Sequence, residues 1–246
     1  MIASLGMYDL APLQDANDRF WALIRDALGH GPEKLTRDMD FWEIWQSPDL
    51  VFSQTCGMPY RTALHGKVAL VGTPDYGVSG CGPGYYNSVL IARRDDPRES
   101  EVAFAGARFA YNEPVSQSGW AAPMVHLRAR AVQMGDLLQT GAHVASAHAV
   151  AEGRADLAGI DALTWALMLE HDPVTDALRE IARTEPTPGL PYITAAGRDG
   201  HEMALAVEQA IRALSNHDRA LLHLRGLVRI PAGDYLAVAT PPPPAS

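Results

Sequence analysis

Cysteine is nearly missing from this chain. Cys56 and Cys81 are its only thiols in 246 residues. Two are too few for a disulfide framework or a four-cysteine zinc site. They leave two readings open: a pair of buried thiols, or one bridge closing a 24-residue loop. Such a bridge would contribute about 3.5 kcal/mol by chain entropy. Long apolar runs are also missing. No stretch approaches 18 uninterrupted apolar residues, which excludes a transmembrane helix. The opening MIASLGMYDL lacks a basic n-region and its apolar stretch is short. The expectation is a cytoplasmic protein, or a periplasmic one whose leader has been removed; Met1 tilts toward the first. Positive charge is scarce. Twenty Lys and Arg face 29 Asp and Glu, for a net charge of −9. An acidic chain without a basic cluster repels a phosphate backbone, so nucleic acid is not an expected partner. A small anion is not excluded, because local N–H groups and hydroxyls hold it rather than net charge.

Several signatures are absent as well. Neither GxGxxG nor GxxxxGK[ST] occurs, so a nucleotide loop is unsupported. GVSGCG places Cys81 where a nucleophile elbow needs its last glycine. Cys56 with His65 could be a thiol pair, but nothing in the sequence orients it. His143 and His148 are five residues apart, about 140° around a helix, which rules out a shared metal. No metal and no cofactor are expected.

What remains is an ordinary globular composition, 47% hydrophobic and 20% charged. A chain this long buries roughly 70% of its unfolded surface and supports a core of its own. Helices are expected over 15–28, with Asp15 as cap and Gly29 as stop, over 36–45, 143–153, 162–172 and 202–215, and a shorter one after His217. Strands are expected at 50–54, 67–72, 85–94, 107–112, 154–161 and 179–185, with a loop from Thr73 to Gly84. The strand–helix rhythm of the middle block implies an α/β fold with a parallel or mixed sheet. Residues 89–191 read as one lobe, and 1–88 with 192–246 as another. Two extended segments, near 85–94 and 184–195, cross between them and make a cleft with a hinge. The final PPPPAS, 241–246, reads as a disordered tail.

The strongest chemical signal is YNEPVSQSGW, 111–120. Ser116, Gln117, Ser118 and Gly119 open a helix, where unpaired N–H groups, two hydroxyls and a glycine suit a tetrahedral oxyanion. The plain alternative is a serine N-cap. His143 opens another helix after the Gly141 turn and can donate to an anion. Asp161 ends the apolar strand LAGID, where open α/β sheets bind ligands, or it caps the next helix. The loop after residue 72 carries Thr73, Asp75, Tyr76 and Ser79.

The ordered series SQTCGMPY, LVGTPDY, GCGPGYYNSVL, YNEPVSQSG, TGAHVAS, ADLAGIDALTW and TPGLP resembles the phosphate/phosphonate-type substrate-binding proteins of ABC importers. The resemblance spans about residues 3 to 195. It implies a two-lobed type II periplasmic-binding-protein fold with two hinge crossings. It implies that Ser116–Gly119 bind the anion, that His143 assists, and that Asp161 faces the amine of an aminophosphonate. Tyr8, Tyr76, Thr55 and Thr73 are implied as first-lobe positions lining the cleft. A Cys56–Cys81 bridge would join two first-lobe loops in an exported form. The implied function is capture of phosphate, phosphite or a phosphonate by a monomer that serves an ABC permease. A cytoplasmic enzyme on the same fold, like the thiamine-pyrimidine synthases, and a ligand-sensing module are the alternatives.

Overall fold

A computed structural model describes residues 1–244. The chain forms two compact units. The first is 1–85 with 188–237, and the second is 86–187 with the segment from 238. The sequence reading set these boundaries at 88/89 and 191/192. The chain also passes between the units a third time, at 237/238.

In the first unit the helix Gln14–Leu28 buries Ala16, Phe20, Trp21 and Ile24 along one face and stops at Gly29. Gly29 has φ 74°, and its N–H bonds back to the Arg25 carbonyl, the left-handed cap that glycine adopts without Cβ strain. Asp15 is not the N-cap. A 3₁₀ turn, Ala11–Leu13, runs straight into the helix and leaves Asp15 in its first turn. The expected helix over 36–45 shrinks to Phe41–Gln46, because the Asp40 carboxylate accepts from the Trp42 and Glu43 N–H groups and sets the start there.

Five strands form the sheet in the order Ile2–Ser4, Leu50–Gln54, Tyr192–Ala195, Val68–Asp75, Gly226–Val228. The strands at 2, 50 and 68 run parallel to one another, and the returning strands at 192 and 226 are antiparallel to their neighbours. Leu50–Gln54 is buried along its whole length, as a strand covered on both faces should be. Thr73 lies inside a strand rather than in a loop, because Gly226–Val228 pairs with its C-terminal half. That short pairing strand begins at Gly226, the last residue of the short helix expected over 217–226, and continues through Leu227 and Val228, for which no element is expected. Its residues are half-buried at the sheet edge and show no alternation to betray them.

The second unit has its own sheet, ordered Leu137–Gln139, Phe109–Tyr111, Leu157–Asp161, Ser88–Arg93, Leu178–Arg183. The first three are mutually parallel, Ser88–Arg93 runs antiparallel to them, and Leu178–Arg183 pairs antiparallel with Ser88–Arg93 and so runs with the first three. Leu90, Phe104, Phe109, Tyr111, Trp120, Met124 and Leu127 build one side of its core. Helices His143–Ala151 and Ala162–His171 follow the two strands that end at Gln139 and Asp161.

The C-terminal segment corrects the reading of a disordered tail in the first lobe. Residues after Ala237 belong to the second unit, Pro241 is buried, and the Pro242 carbonyl accepts the Trp120 indole N–H at 3.1 Å. Ala245 and Ser246 lie outside the described residues.

Candidate functional site

Parallel strands share a direction, so their C-terminal ends emerge on one side of a sheet. Ligands of open α/β sheets bind there. In the second unit those ends are Tyr111, Gln139 and Asp161. The segments that follow carry Ser116–Gly119, His143 and the Asp161 helix. Topology therefore gathers six residues that lie 45 positions apart in the chain.

The Ser116–Gly119 segment begins as a turn of π-helix, Gln117–Ala121, before the helix Ala122–Ala129. The Ser116 carbonyl accepts from both the Trp120 and the Ala121 N–H, at 3.3 and 3.0 Å. This widened turn is a local irregularity of the kind found at functional sites. Ser116 is its N-cap, and its Oγ accepts the Gly119 N–H at 2.9 Å. One expected anion donor, the Gly119 amide, is thus committed to the cap. Ser118 differs. Its amide has no partner among the described residues, and its Oγ lies 3.0 Å from His143 Nε2. Ser116, Gln117 and Ser118 are all buried.

His143 is half-buried as a residue, but its Nδ1 is sealed from solvent and makes no hydrogen bond of good geometry. Burial pushes the imidazole down to about 4, opposed only by the Gly159 backbone. The ring is neutral near pH 7, so one nitrogen donates and the other accepts. The turn before it is tied to the first loop. The Thr140 N–H donates to the Tyr111 carbonyl at 2.9 Å and the Gly141 N–H to the Asn112 carbonyl at 3.0 Å.

Two glycines make this crowding feasible. A Cβ on Gly119 would overlap Asn112 Oδ1 and sit 3.2 Å from His143 Cε1. A Cβ on Gly159 would lie 2.5 Å from Pro123 Cγ and close to the Ser118 and Gly119 carbonyls. Asp161, buried at the end of the same strand, accepts from the Leu163 and Thr164 N–H groups at 2.9 and 3.0 Å. Its Oδ1 therefore caps the following helix, the plainer of its two sequence readings.

The parallel strands of the first unit also end on one side, at Ser4, Gln54 and Asp75. Tyr8 and Tyr76 follow two of these ends and meet edge to face with centroids 5.2 Å apart. Asn17 holds the Tyr8 carbonyl and Asp9. Gln54 Nε2 donates to the Tyr76 hydroxyl at 3.2 Å and to the Leu190 carbonyl at 3.1 Å. Thr55 is wholly buried and its hydroxyl is unpaired. Thr73 is occupied otherwise. Its Oγ1 lies 2.6 Å from the Tyr235 hydroxyl, which donates to the Gly189 carbonyl at 2.9 Å. The Thr73 proton therefore goes to Tyr235, and its part is to join the strand to the helix Ala232–Leu236. Cys56 and Cys81 are half-buried, and no bridge joins them in this structure.

Sequence reading missed Asn112, Gln54, Tyr192 and Tyr235. Asn112 stood in the quoted YNEP segment, and its Oδ1 is buried without a partner against Gly119. Gln54, likewise, ends a recognised strand. Tyr192 is fully buried beside Tyr76, and burial raises its hydroxyl well above the usual range. Tyr235 had no local signal, because its partners lie 162 and 46 residues away. No group of three or more potential metal ligands occurs among the described residues. No helix among them is long and apolar enough to cross a membrane.

Comparison with known proteins adds to this geometry. The model of the family described as ABC transporter, phosphonate, periplasmic substrate-binding protein matches residues 49–234. No curated protein matches the chain. Solved structures with the same fold include a binding-protein component of an ABC phosphonate transporter from Pseudomonas aeruginosa. It is 18% identical, with 92% of this chain and 80% of that one covered, at a TM-score of 0.72. A Prochlorococcus marinus protein in complex with methylphosphonate is 15% identical, with 90% of each chain covered, at 0.70. A Xanthomonas citri protein bound to ATP is 17% identical, with 95% and 91% covered, at 0.67.

Proposed function

The chain belongs to the family of periplasmic substrate-binding proteins of phosphonate ABC transporters, and from that premise we propose that its second unit captures a small phosphorus oxyanion on the Ser116–Gly119 turn and His143. Phosphate, phosphite and a small phosphonate such as methylphosphonate share the chemistry: a tetrahedral phosphorus with two or three anionic oxygens. The partner that receives the ligand is an ABC permease. The protein works as a monomer in the periplasm.

The observation that carries this reading is the pairing of Ser118 Oγ with His143 Nε2 at 3.0 Å, next to an uncommitted Ser118 amide. Three groups from two strand ends then converge on one small region. Oxygens of the anion accept from the Ser118 N–H and the serine hydroxyls, while the imidazole Nε2–H donates to Ser118 Oγ and leaves that hydroxyl free to donate. Micromolar affinity corresponds to about −8 kcal/mol. Hydrogen bonds to a charged group contribute roughly 1.5–3 kcal/mol each. Three such bonds at the upper end of that range reach this figure. The π-turn leaves the Ser118 amide uncommitted, and the positive end of the helix adds to its pull.

The same pair argues against group transfer. A serine nucleophile needs a base poised near neutrality. Burial holds His143 near 4, so it is a weak base toward Ser118 but still a good neutral donor. This supports a binding role rather than the enzyme alternative.

The test is isothermal calorimetry with methylphosphonate, phosphite, phosphate and sulfate, on the intact protein and on Ser118→Ala. Micromolar or tighter binding of a phosphorus anion that weakens tenfold or more in Ser118→Ala supports the reading. Binding unchanged by Ser118→Ala would move the site elsewhere. Absence of binding for every phosphorus anion would remove the ligand class.

A further inference from the structure

The residue directly after the anion-binding turn is Trp120. Its indole is buried in an apolar cluster with Leu90, Phe104, Phe109, Tyr111 and Met124. Its ring centroid lies 5.1 Å from that of Tyr111. An indole N–H in such a setting needs an acceptor, since a buried donor left unpaired costs roughly 1–3 kcal/mol. No side chain of the cluster accepts it. The acceptor comes from 122 residues away: the Pro242 carbonyl, at 3.1 Å.

The sequence of that acceptor is suited to the task. Pro241 to Pro244 have no N–H groups. A proline run can therefore lie on an apolar surface without stranding donors of its own, while each carbonyl stays available. Its fixed φ holds it extended before docking, which reduces the entropy lost on ordering. Pro241 is buried and anchors the start of the run by packing, while the exposed Pro242 contributes its carbonyl.

We propose that the C-terminal proline run is a clasp on the anion site: by accepting the Trp120 indole N–H, the Pro242 carbonyl holds the Ser116–Gly119 turn in its binding geometry. The Trp120 backbone N–H donates to the Ser116 carbonyl, so a shift of the indole moves the turn that carries Ser118. Trp120 and Pro242 act through that turn and touch no ligand; they are positioning residues. The role in affinity rests on the anion-binding function proposed above.

The test compares the intact chain, a chain ending at Thr240, Trp120→Phe, the two changes combined, and Pro242→Ala, which keeps the carbonyl. Amide hydrogen exchange at Gly119, whose N–H reports the Ser116 cap, is measured without ligand by NMR. Methylphosphonate affinity is measured by calorimetry. The clasp predicts faster Gly119 exchange and affinity lost about three- to tenfold in the truncated chain and in Trp120→Phe, the size of one hydrogen bond. The combined change should cost no more than either alone, because both remove one interaction. Pro242→Ala should stay close to the intact chain in both readouts. Unchanged Gly119 exchange after truncation, or losses that simply add, would overturn the proposal. If the intact chain binds no phosphorus anion, the proposed function fails, and Gly119 exchange alone still decides whether the clasp holds the turn.

Discussion

In the first unit, the side chains beyond the parallel strands bond mainly to one another. Thr73 is joined to Tyr235, Tyr235 to Gly189, and Gln54 to Tyr76 and Leu190. In the second unit the corresponding segments carry small residues, and Ser118 keeps its amide uncommitted beside His143. Both units contain three mutually parallel strands; the first adds two antiparallel strands, and the second adds one antiparallel strand and a fifth that runs with the three. The difference lies in the residues placed at the strand ends. Tyrosines give rigid, internally bonded walls, whereas Ser, Gly and a neutral His leave short donors within reach of a small anion. Topology determines where a site can be, and under the proposed function the side chains at those ends assign the anion to the second unit.

The largest expected effect probes how tightly the second unit is built. Gly159→Val should destabilise the protein by about 3 kcal/mol or more, because the added atoms meet Pro123 and two carbonyls with no room to shift. A urea midpoint shift under 1 kcal/mol would show that this packing is softer than the structure indicates.

Next is pH. His143 titrates near 4 when folded and near 6.5 when unfolded, so between those values the unfolded chain binds the extra proton. Its contribution to stability is complete above pH 6.5 and is lost as pH falls toward 4, by up to about 3 kcal/mol. His143→Gln should flatten that part of the stability profile relative to the parent. Parallel profiles would mean that the imidazole is solvated.

Ser118→Ala and Tyr235→Phe set the two units directly against each other. Ser118→Ala should weaken methylphosphonate by roughly 10- to 100-fold and leave the melting temperature nearly unchanged. Tyr235→Phe should do the reverse. It removes the bonds to Thr73 and Gly189, costing about 1–2 kcal/mol in chemical denaturation, with affinity changed less than threefold. If Tyr235→Phe lost affinity as Ser118→Ala does, the contrast between a structural and a gripping set would be wrong.

Much of this was legible because the signals were local. The buried strands at 50–54 and 157–161 read as short apolar runs, and the helix from Gln14 announced its own end at Gly29. The cap at Ser116 and the placement of His143 at a helix start are also short-range facts. The reading failed where a distant partner decided the outcome. Asp15 looked like a cap until a preceding 3₁₀ turn carried the helix past it. Gly226–Val228 became a strand because an exposed edge at Thr73–Asp75 was available to pair with. Thr73 resembled a ligand residue, but Tyr235 takes its proton.

By itself the amino-acid sequence determined which segments are strands and helices with strong periodicity, the family to which their order belongs, and the anion-suited chemistry of Ser116–Gly119. Those properties rest on backbone preferences and side-chain types within a few residues of one another. Tertiary structure decided that Ser118 meets His143, that Asn112 presses on Gly119, and that the final prolines close on Trp120. Each of these joins groups 7 to 122 residues apart. Such pairings follow from strand order and from the need to satisfy buried polar groups, and neither is written in any one segment.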